Sequence, residues 1–377
     1  MIDINTVLKK KTELLCKGVY LDGALIQHYK SQGINIDFGR KGGAGPLGGR
    51  YFLFEDGTLV NVALWDDPKK SNLVLKENID GYFEVYDSKK NATFGRLKLI
   101  DEPQFYNQKT SEGILMKKIA LVHGTDCLSS TIYQKCRYWG CGEACTFCGI
   151  ELSLKYNTTI IEKNYKQMNE VIAAAKKEKR CNHMTLTSGT EETVDKGANR
   201  YIELLKGIKH EYPDLPLHIQ IEPLEDLSYI DKLKDAGADT IGIHIEVLDD
   251  SLRKIITPGK FKIPYKLFED SWKKALEVFG KNQVETYILM GFGESPEEFI
   301  DDLERIVSLG VIPYITSVRS IPDMISNLPN MNHNVLLDIY IKAAKMMKEY
   351  GVNPLKNIAG CVRCGGCSAI SEAYKAS

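Results

Sequence analysis

Cys141, Cys145 and Cys148 stand in the run Cys-Gly-Glu-Ala-Cys-Thr-Phe-Cys, a C-x3-C-x2-C spacing on one short stretch. Three thiolates so placed can hold three corners of a four-iron, four-sulfur cube and leave the fourth iron without a protein ligand. An open metal position is where a substrate or cofactor binds. The competing chemistry is a zinc knuckle, which favours two separated ligand pairs and recruits a fourth ligand.

A second group, Cys361-Val-Arg-Cys364-Gly-Gly-Cys367, lies near the far end of the chain. Two glycines between ligands let a tight loop wrap a metal, and Arg363 is placed to neutralise cluster charge. Three cysteines again leave one position open, which points to a second iron–sulfur cluster. A zinc knuckle and a redox-labile tail are the alternatives. Cys136, five residues before Cys141, or Cys127 could complete this second site. Cys16 and Cys181 stand alone and read as buried small apolar residues.

The elements that position these loops follow from periodicity. Short β-type runs at Tyr51–Phe54, Leu59–Leu64, Asn72–Lys76 and Tyr82–Tyr86, separated by Asp-Gly turns, predict a small antiparallel meander in the first 112 residues. Ahead of it, residues 39–50 hold six glycines with Arg40, Lys41 and Arg50. This Gly39–Arg50 stretch reads equally as an anion-holding nest or a flexible surface loop. From Thr131 strands and helices alternate. Strands are expected at Thr131–Lys135, His183–Thr187, Leu217–Ile221, Thr240–Ile245, Val284–Leu289 and Tyr314–Val318. Helices are expected at Lys163–Lys179, Asp195–Glu211, Asp226–Ala236, Tyr265–Phe279, Ser295–Leu309 and Asn334–Tyr350. Six βα units predict an α/β fold, a partial (β/α)6 TIM-like barrel over residues 113–350. A β-rich accessory region (1–112) precedes it and a cysteine-rich tail (351–377) follows. The cysteine loop then leaves the first strand at its C-terminal end, where such barrels carry their chemistry.

The chain has 377 residues, 43% hydrophobic and 26% charged, with 49 basic against 50 acidic side chains. A net charge of -1 gives no electrostatic case for nucleic acid or an anionic membrane. No apolar run reaches the roughly 20 residues of a membrane span. With no secretion signal, ten cysteines suggest metal sites rather than disulfides and a reducing, oxygen-poor cytoplasm.

The phrases Tyr138-Trp-Gly-Cys, Thr146-Phe-Cys-Gly-Ile150, Leu186-Thr-Ser-Gly-Thr190, Ile219-Gln-Ile-Glu222, Ile243-His-Ile-Glu246 and Tyr287-Ile-Leu-Met-Gly-Phe-Gly-Glu294 carry a resemblance. On these residues the chain resembles the radical S-adenosylmethionine (SAM) superfamily and its biotin-synthase-related branch. Within that branch it is similar to subunits of two-component lipoyl synthases. The resemblance implies a 4Fe-4S cluster whose open iron chelates SAM, and reductive cleavage of SAM to a 5′-deoxyadenosyl radical. Phe147 fills the aromatic place before the last cysteine. Ser188, Gly189 and Thr190 match the turn that receives the SAM amino group, although the usual acidic residue is missing and only Glu191 is adjacent. Gly291 and Glu294 match the turn that packs on adenine. Glu222 and Glu246 become candidates for the ribose or amine, and Arg253 for the SAM carboxylate or the substrate. Whether His244 faces the lumen does not follow from strand alternation, and His123 reads best as core.

The same resemblance implies an auxiliary 4Fe-4S cluster as sulfur source, with Ser368 or Ser371 as a further option for its fourth ligand. Sulfur insertion into an octanoyl chain is the leading expectation. An acyl-carrier protein or lipoyl domain, a second radical SAM subunit and a reductant such as ferredoxin are the expected partners. Carbon-skeleton rearrangement, cofactor maturation and a nitrilase-associated reaction remain alternatives, with the tail cluster then serving electron transfer.

Overall fold

In the computed structural model, residues 3–31, 49–319 and 331–377 are described. The Gly39–Arg50 loop therefore lies outside the described residues except for Gly49 and Arg50.

The first region is a small closed barrel of six strands: β1 (Val19–Tyr20), β2 (Gly49–Leu53), β3 (Leu59–Trp65), β4 (Leu73–Ile79), β5 (Tyr82–Asp87) and β6 (Ala92–Leu99). Their order is β1-β3-β2-β6-β5-β4. Alternating burial along β5 places Phe83 and Val85 inside, as a half-solvated antiparallel strand requires. The predicted meander is present and gains β6. The helix Ile4–Lys17 precedes it, with Asp3 accepting from the Thr6 amide at its N-terminus.

The second sheet has seven strands: β7 (Leu121–His123), β8 (Cys127–Thr131), β9 (His183–Thr187), β10 (Leu217–Ile221), β11 (Thr240–Ile243), β12 (Val284–Met290) and β13 (Ile312–Ser317). They lie in sequence order. β8 to β13 run parallel, and β7 pairs antiparallel at the edge. This is the expected six-unit curled sheet. Helices return between strands, among them Tyr165–Lys177, Ala198–Glu211, Tyr265–Phe279, Pro296–Val307 and His333–Glu349. Asn164 and Gln167 form a capping box on the first of these, and Ser295 with Pro296 starts the fourth. Trp272, fully buried, donates its indole N–H to the Ile243 carbonyl and ties a helix to β11.

One strand departs from expectation. The first barrel strand is Cys127–Thr131, four residues earlier than Thr131–Lys135. Its Ser129, Ser130 and Thr131 are fully buried, and Ser130 satisfies its hydroxyl on the Ile119 carbonyl. Small hydroxyl residues disguise a buried strand that apolar patterning does not reveal.

The tail crosses the N-terminal ends of the barrel strands. The Gly360 amide donates to His183 Nδ1 (3.1 Å) at the start of β9. Val362 N donates to Glu285 (3.3 Å) near the start of β12. A side chain at Gly360, where φ is +89°, would meet the His218 ring at 2.5 Å. The small barrel seals the same end: Asn61 N donates to the Gly366 carbonyl (2.7 Å), and buried Lys11 bonds the Gly365 carbonyl and Glu372, each at 2.8 Å. Among the described residues no helix is long and apolar enough to cross a membrane.

Candidate active site

A cavity of about 380 Å³ runs through the lumen of the curled sheet. Cys145, Phe147 and Cys148 line it, together with Ser188, Gly189, Thr190, Glu222 and Glu246, which follow the C-terminal ends of β9, β10 and β11. Cys127, Cys361, Cys364 and Cys367 line the same cavity from the opposite, N-terminal ends of the strands. The two cysteine groups, some 220 residues apart in sequence, thus share one internal space.

At the upper end, Cys145 is buried and Cys148 half-buried on the cavity wall, while Cys141 is exposed and off that wall. Burial pushes the Cys148 thiol up to about 11 and Cys145 well above its usual range, the latter reinforced by Glu246. Such thiols ionise only against a bound cation, so metal loading here releases protons. The Thr146 amide donates to the Ile256 carbonyl (2.9 Å), which fixes the loop against the helix Asp250–Ile256.

Gly189 is required by close approach, since an added Cβ would lie 1.9 Å from the Lys135 carbonyl oxygen. Ser188 donates to the Gly189 carbonyl, and the Thr190 carbonyl accepts from Arg137 N. Glu191 is held by Arg200 (2.7 Å) and is absent from the cavity wall. Glu222 accepts from Tyr138 OH at 3.1 Å and has Lys196 at 3.8 Å. Glu246, held at φ +65°, is bonded by Lys260 at 2.7 Å. Burial lifts the Glu246 carboxyl, with Lys260 opposing that lift. Burial also works against the charge on Lys260, but Glu246, Cys145 and Glu222 outweigh it and keep the ammonium charged.

Buried polar atoms on this wall without a hydrogen-bond partner include Glu222 Oε1, Glu246 Oε2 and His244 Nε2. His244 does face the lumen; its Nδ1 accepts from Tyr287 N, and burial keeps it neutral. Two unpartnered carboxylate oxygens beside a three-thiol loop fit the ammonium and ribose hydroxyls of SAM. Lys260 carries no sequence signal and is brought in by the helical turn Pro258–Phe261, whose Gly259 lies against Tyr138; Tyr138 belongs to a quoted motif phrase that gives it no role of its own.

Several expected residues are employed elsewhere. Arg253 is buried but lies outside the cavity wall, paired with Asp250 (2.9 Å), bonded to the Ile263 carbonyl and stacked on Phe261 and Phe268. Glu294 folds back to accept from the amides of Gly291 (2.6 Å) and Phe292 (2.8 Å), so it shapes its turn and is itself off the cavity wall. Gly291, at φ +117°, is likewise not on the wall, while Phe292 reaches Phe147 with ring centroids 6.1 Å apart. Cys136 sits at the upper end with Glu222 and Lys260 as its charged neighbours, away from the tail it was expected to complete. Ser368 donates to the Ile315 carbonyl (2.5 Å), and neither it nor Ser371 reaches the cavity.

At the lower end, Gln220 donates to Cys361 Sγ (3.4 Å) and Tyr51 OH lies 3.9 Å from Cys367 Sγ. Burial raises Cys361 and Cys367, and neighbouring thiols add to the effect. Among the described residues no three His, Cys, Asp or Glu side chains converge on a point that would hold a single ion. A four-iron cube asks for something different, one thiolate per iron around a wider ring. The thiols of Cys127, Cys361, Cys364 and Cys367 line one cavity.

Residues 138–306 match the family model of the radical SAM superfamily. Over 122 residues the chain is 32% identical to a 5-amino-6-(D-ribitylamino)uracil–L-tyrosine 4-hydroxyphenyl transferase of Trichormus variabilis, covering 29% of this chain and 30% of that one. Over 167 residues it is 30% identical to the biotin synthase of a Sulfurihydrogenibium species, covering 43% and 46%. The chain thus spans less than half the length of either relative. Among solved structures it is similar to the FeFe-hydrogenase maturase HydG from Carboxydothermus hydrogenoformans, with a TM-score of 0.45, 17% identity, and coverage of 61% of this chain and 53% of that one.

Proposed function

We propose that this radical SAM enzyme inserts sulfur into an unactivated C–H bond, with the radical loop at one end of the lumen and a sulfur-bearing auxiliary cluster at the other. The observation that carries this reading is the shared cavity, in which Cys145 and Cys148 face the tail cysteines across a single substrate-sized space. A cluster meant only for electron transfer has no need to line the substrate chamber; a sulfur donor must. When bound, the upper cluster with SAM supplies the hydrogen-abstracting radical, and the lower cluster supplies sulfide.

The chain's own groups have defined tasks. Glu222 and Glu246 hold the cofactor's amine and hydroxyls, and Lys260 opposes the lift that burial gives the Glu246 carboxyl. The lumen wall between the two ends, including Tyr201, Ile221, Tyr287 and Leu289, excludes water from the radical. Tyr287 and Tyr314 pack at a 54° tilt with centroids 4.8 Å apart and form an apolar face on which a chain can lie.

An octanoyl chain on a carrier protein is the first substrate to test, because the motif resemblance points to two-component lipoyl synthases. The assay is anaerobic reconstitution, iron counting and mass spectrometry of octanoyl carrier, with and without a second radical SAM subunit. About eight irons per chain and a sulfur mass gain are expected. Replacing Cys361, Cys364 and Cys367 together should abolish sulfur transfer and leave SAM cleavage intact. A four-iron wild type whose triple variant is fully active defeats the reading. A second reading, transfer or rearrangement on an aromatic or amino-acid substrate, is favoured by the similarity to the 4-hydroxyphenyl transferases and by the tyrosine-rich wall. SAM turnover that yields rearranged product without sulfur gain would establish it.

A further inference from the structure

We propose that Cys127 is the fourth thiolate of the tail site, so that the lower cluster is held by Cys127, Cys361, Cys364 and Cys367. This rests on the reading that the tail binds a cluster at all.

The argument is one of placement. Cys127 opens β8 at the N-terminal end of the barrel, the same end at which the tail loop crosses. It lines the cavity with the three tail cysteines, and the Cys364 thiol is close enough to perturb its ionisation. Its environment differs from that of the other solitary cysteines. Cys16 and Cys181 are packed into the hydrophobic core cluster, whereas Cys127 is 1% exposed yet stands outside that cluster, with Thr185 Oγ1 at 3.4 Å. A buried thiol that faces a cavity and another thiol is a ligand position, whereas a thiol packed among aliphatic side chains is filler.

The other expected candidates fail on geometry. Cys136 is at the opposite end, where its amide donates to the Glu151 carboxylate (3.2 Å) and its charged neighbours are Glu222 and Lys260. The Ser368 hydroxyl is spent on the Ile315 carbonyl.

Attachment to β8 has a mechanical consequence. Three ligands lie on a seven-residue segment that begins in the short helix Gly360–Cys364 and is held by the small barrel, while the fourth belongs to the strand that leads into the radical loop. The cluster would therefore staple the tail to the sheet, and each thiol would give up its proton on ligation.

The test is made in full-length protein in which Cys141, Cys145 and Cys148 are replaced by alanine, so that only the tail site can load. Reconstitution with iron and sulfide under anaerobic conditions should give about four irons, read by iron analysis, Mössbauer and electron paramagnetic resonance spectra. Adding Cys127→Ala should reduce this to a three-iron spectrum or to no cluster; adding Cys136→Ala should leave count and spectrum unchanged. Should the alanine variant unfold, Cys127→Ser decides, because it keeps the side-chain volume: a three-iron or oxygen-ligated spectrum supports the assignment. Four irons with the parent spectrum in the folded Cys127 variants overturn it while leaving the tail cluster standing. No iron in the parent overturns the tail cluster itself.

Discussion

The Glu246–Lys260 pair offers the sharpest test of how the site is built. Both side chains are largely buried, 12% and 15% exposed, and their charged atoms are 2.7 Å apart. Removing one partner from a buried pair leaves an uncompensated charge and costs about 3–5 kcal/mol. A melting entropy of about 2.1 cal/mol/K per residue, taken over 377 residues as one cooperative unit, gives about 0.8 kcal/mol/K. Lys260→Met should therefore melt about 4–6 °C below wild type, while Lys260→Met with Glu246→Gln should recover most of that loss. The pH dependence has a definite sign. Burial already raises the Glu246 carboxyl above its ordinary 4.5, and loss of Lys260 raises it further. Between the unfolded and the raised folded value the folded state holds the extra proton, so stability falls as pH rises through that window. The penalty in Lys260→Met should thus be fully present above the raised value and shrink as pH falls toward 4.5. Calorimetry or circular dichroism under anaerobic conditions reads all four corners of the cycle. A single variant within about 1 °C of wild type at every pH, or a double variant no better than the single, would refute a desolvated pair.

Three further outcomes follow from other contacts. Gly189→Ala places a Cβ 1.9 Å from a backbone carbonyl that no rotamer change can relieve, so SAM binding by equilibrium dialysis should weaken at least about tenfold. Lys11→Met leaves Glu372, 6% exposed, without its 2.8 Å partner; amide exchange should accelerate across residues 365–372 and stay unchanged in the helix Tyr165–Lys177. His183 is held near 3 by burial, then by Arg363, so its contribution is present above 6.5 and lost as pH falls toward 3. His183→Gln keeps an acceptor for the Gly360 amide and should flatten the acid side of the melting-temperature profile.

Much of the scaffold was legible. His183–Thr187, Leu217–Ile221 and Tyr265–Phe279 coincide with their expected limits because apolar runs and glycine or proline stops are local signals. The strand at Cys127–Thr131 was missed because its buried face is made of serine and threonine. Arg253 looked like an anion ligand, but Asp250 and two phenylalanines had already claimed it.

By itself the sequence determined the C-x3-C-x2-C spacing from Cys141 to Cys148, the alternating βα order and the existence of a second cysteine group. Those are properties of short spacings, which survive without knowledge of what lies across the molecule. Only the tertiary structure decided that the tail returns beneath the barrel, that Cys127 and not Cys136 meets it, and that Lys260 guards Glu246. Such encounters depend on strand order and on which strand end a segment crosses, and no local pattern records them.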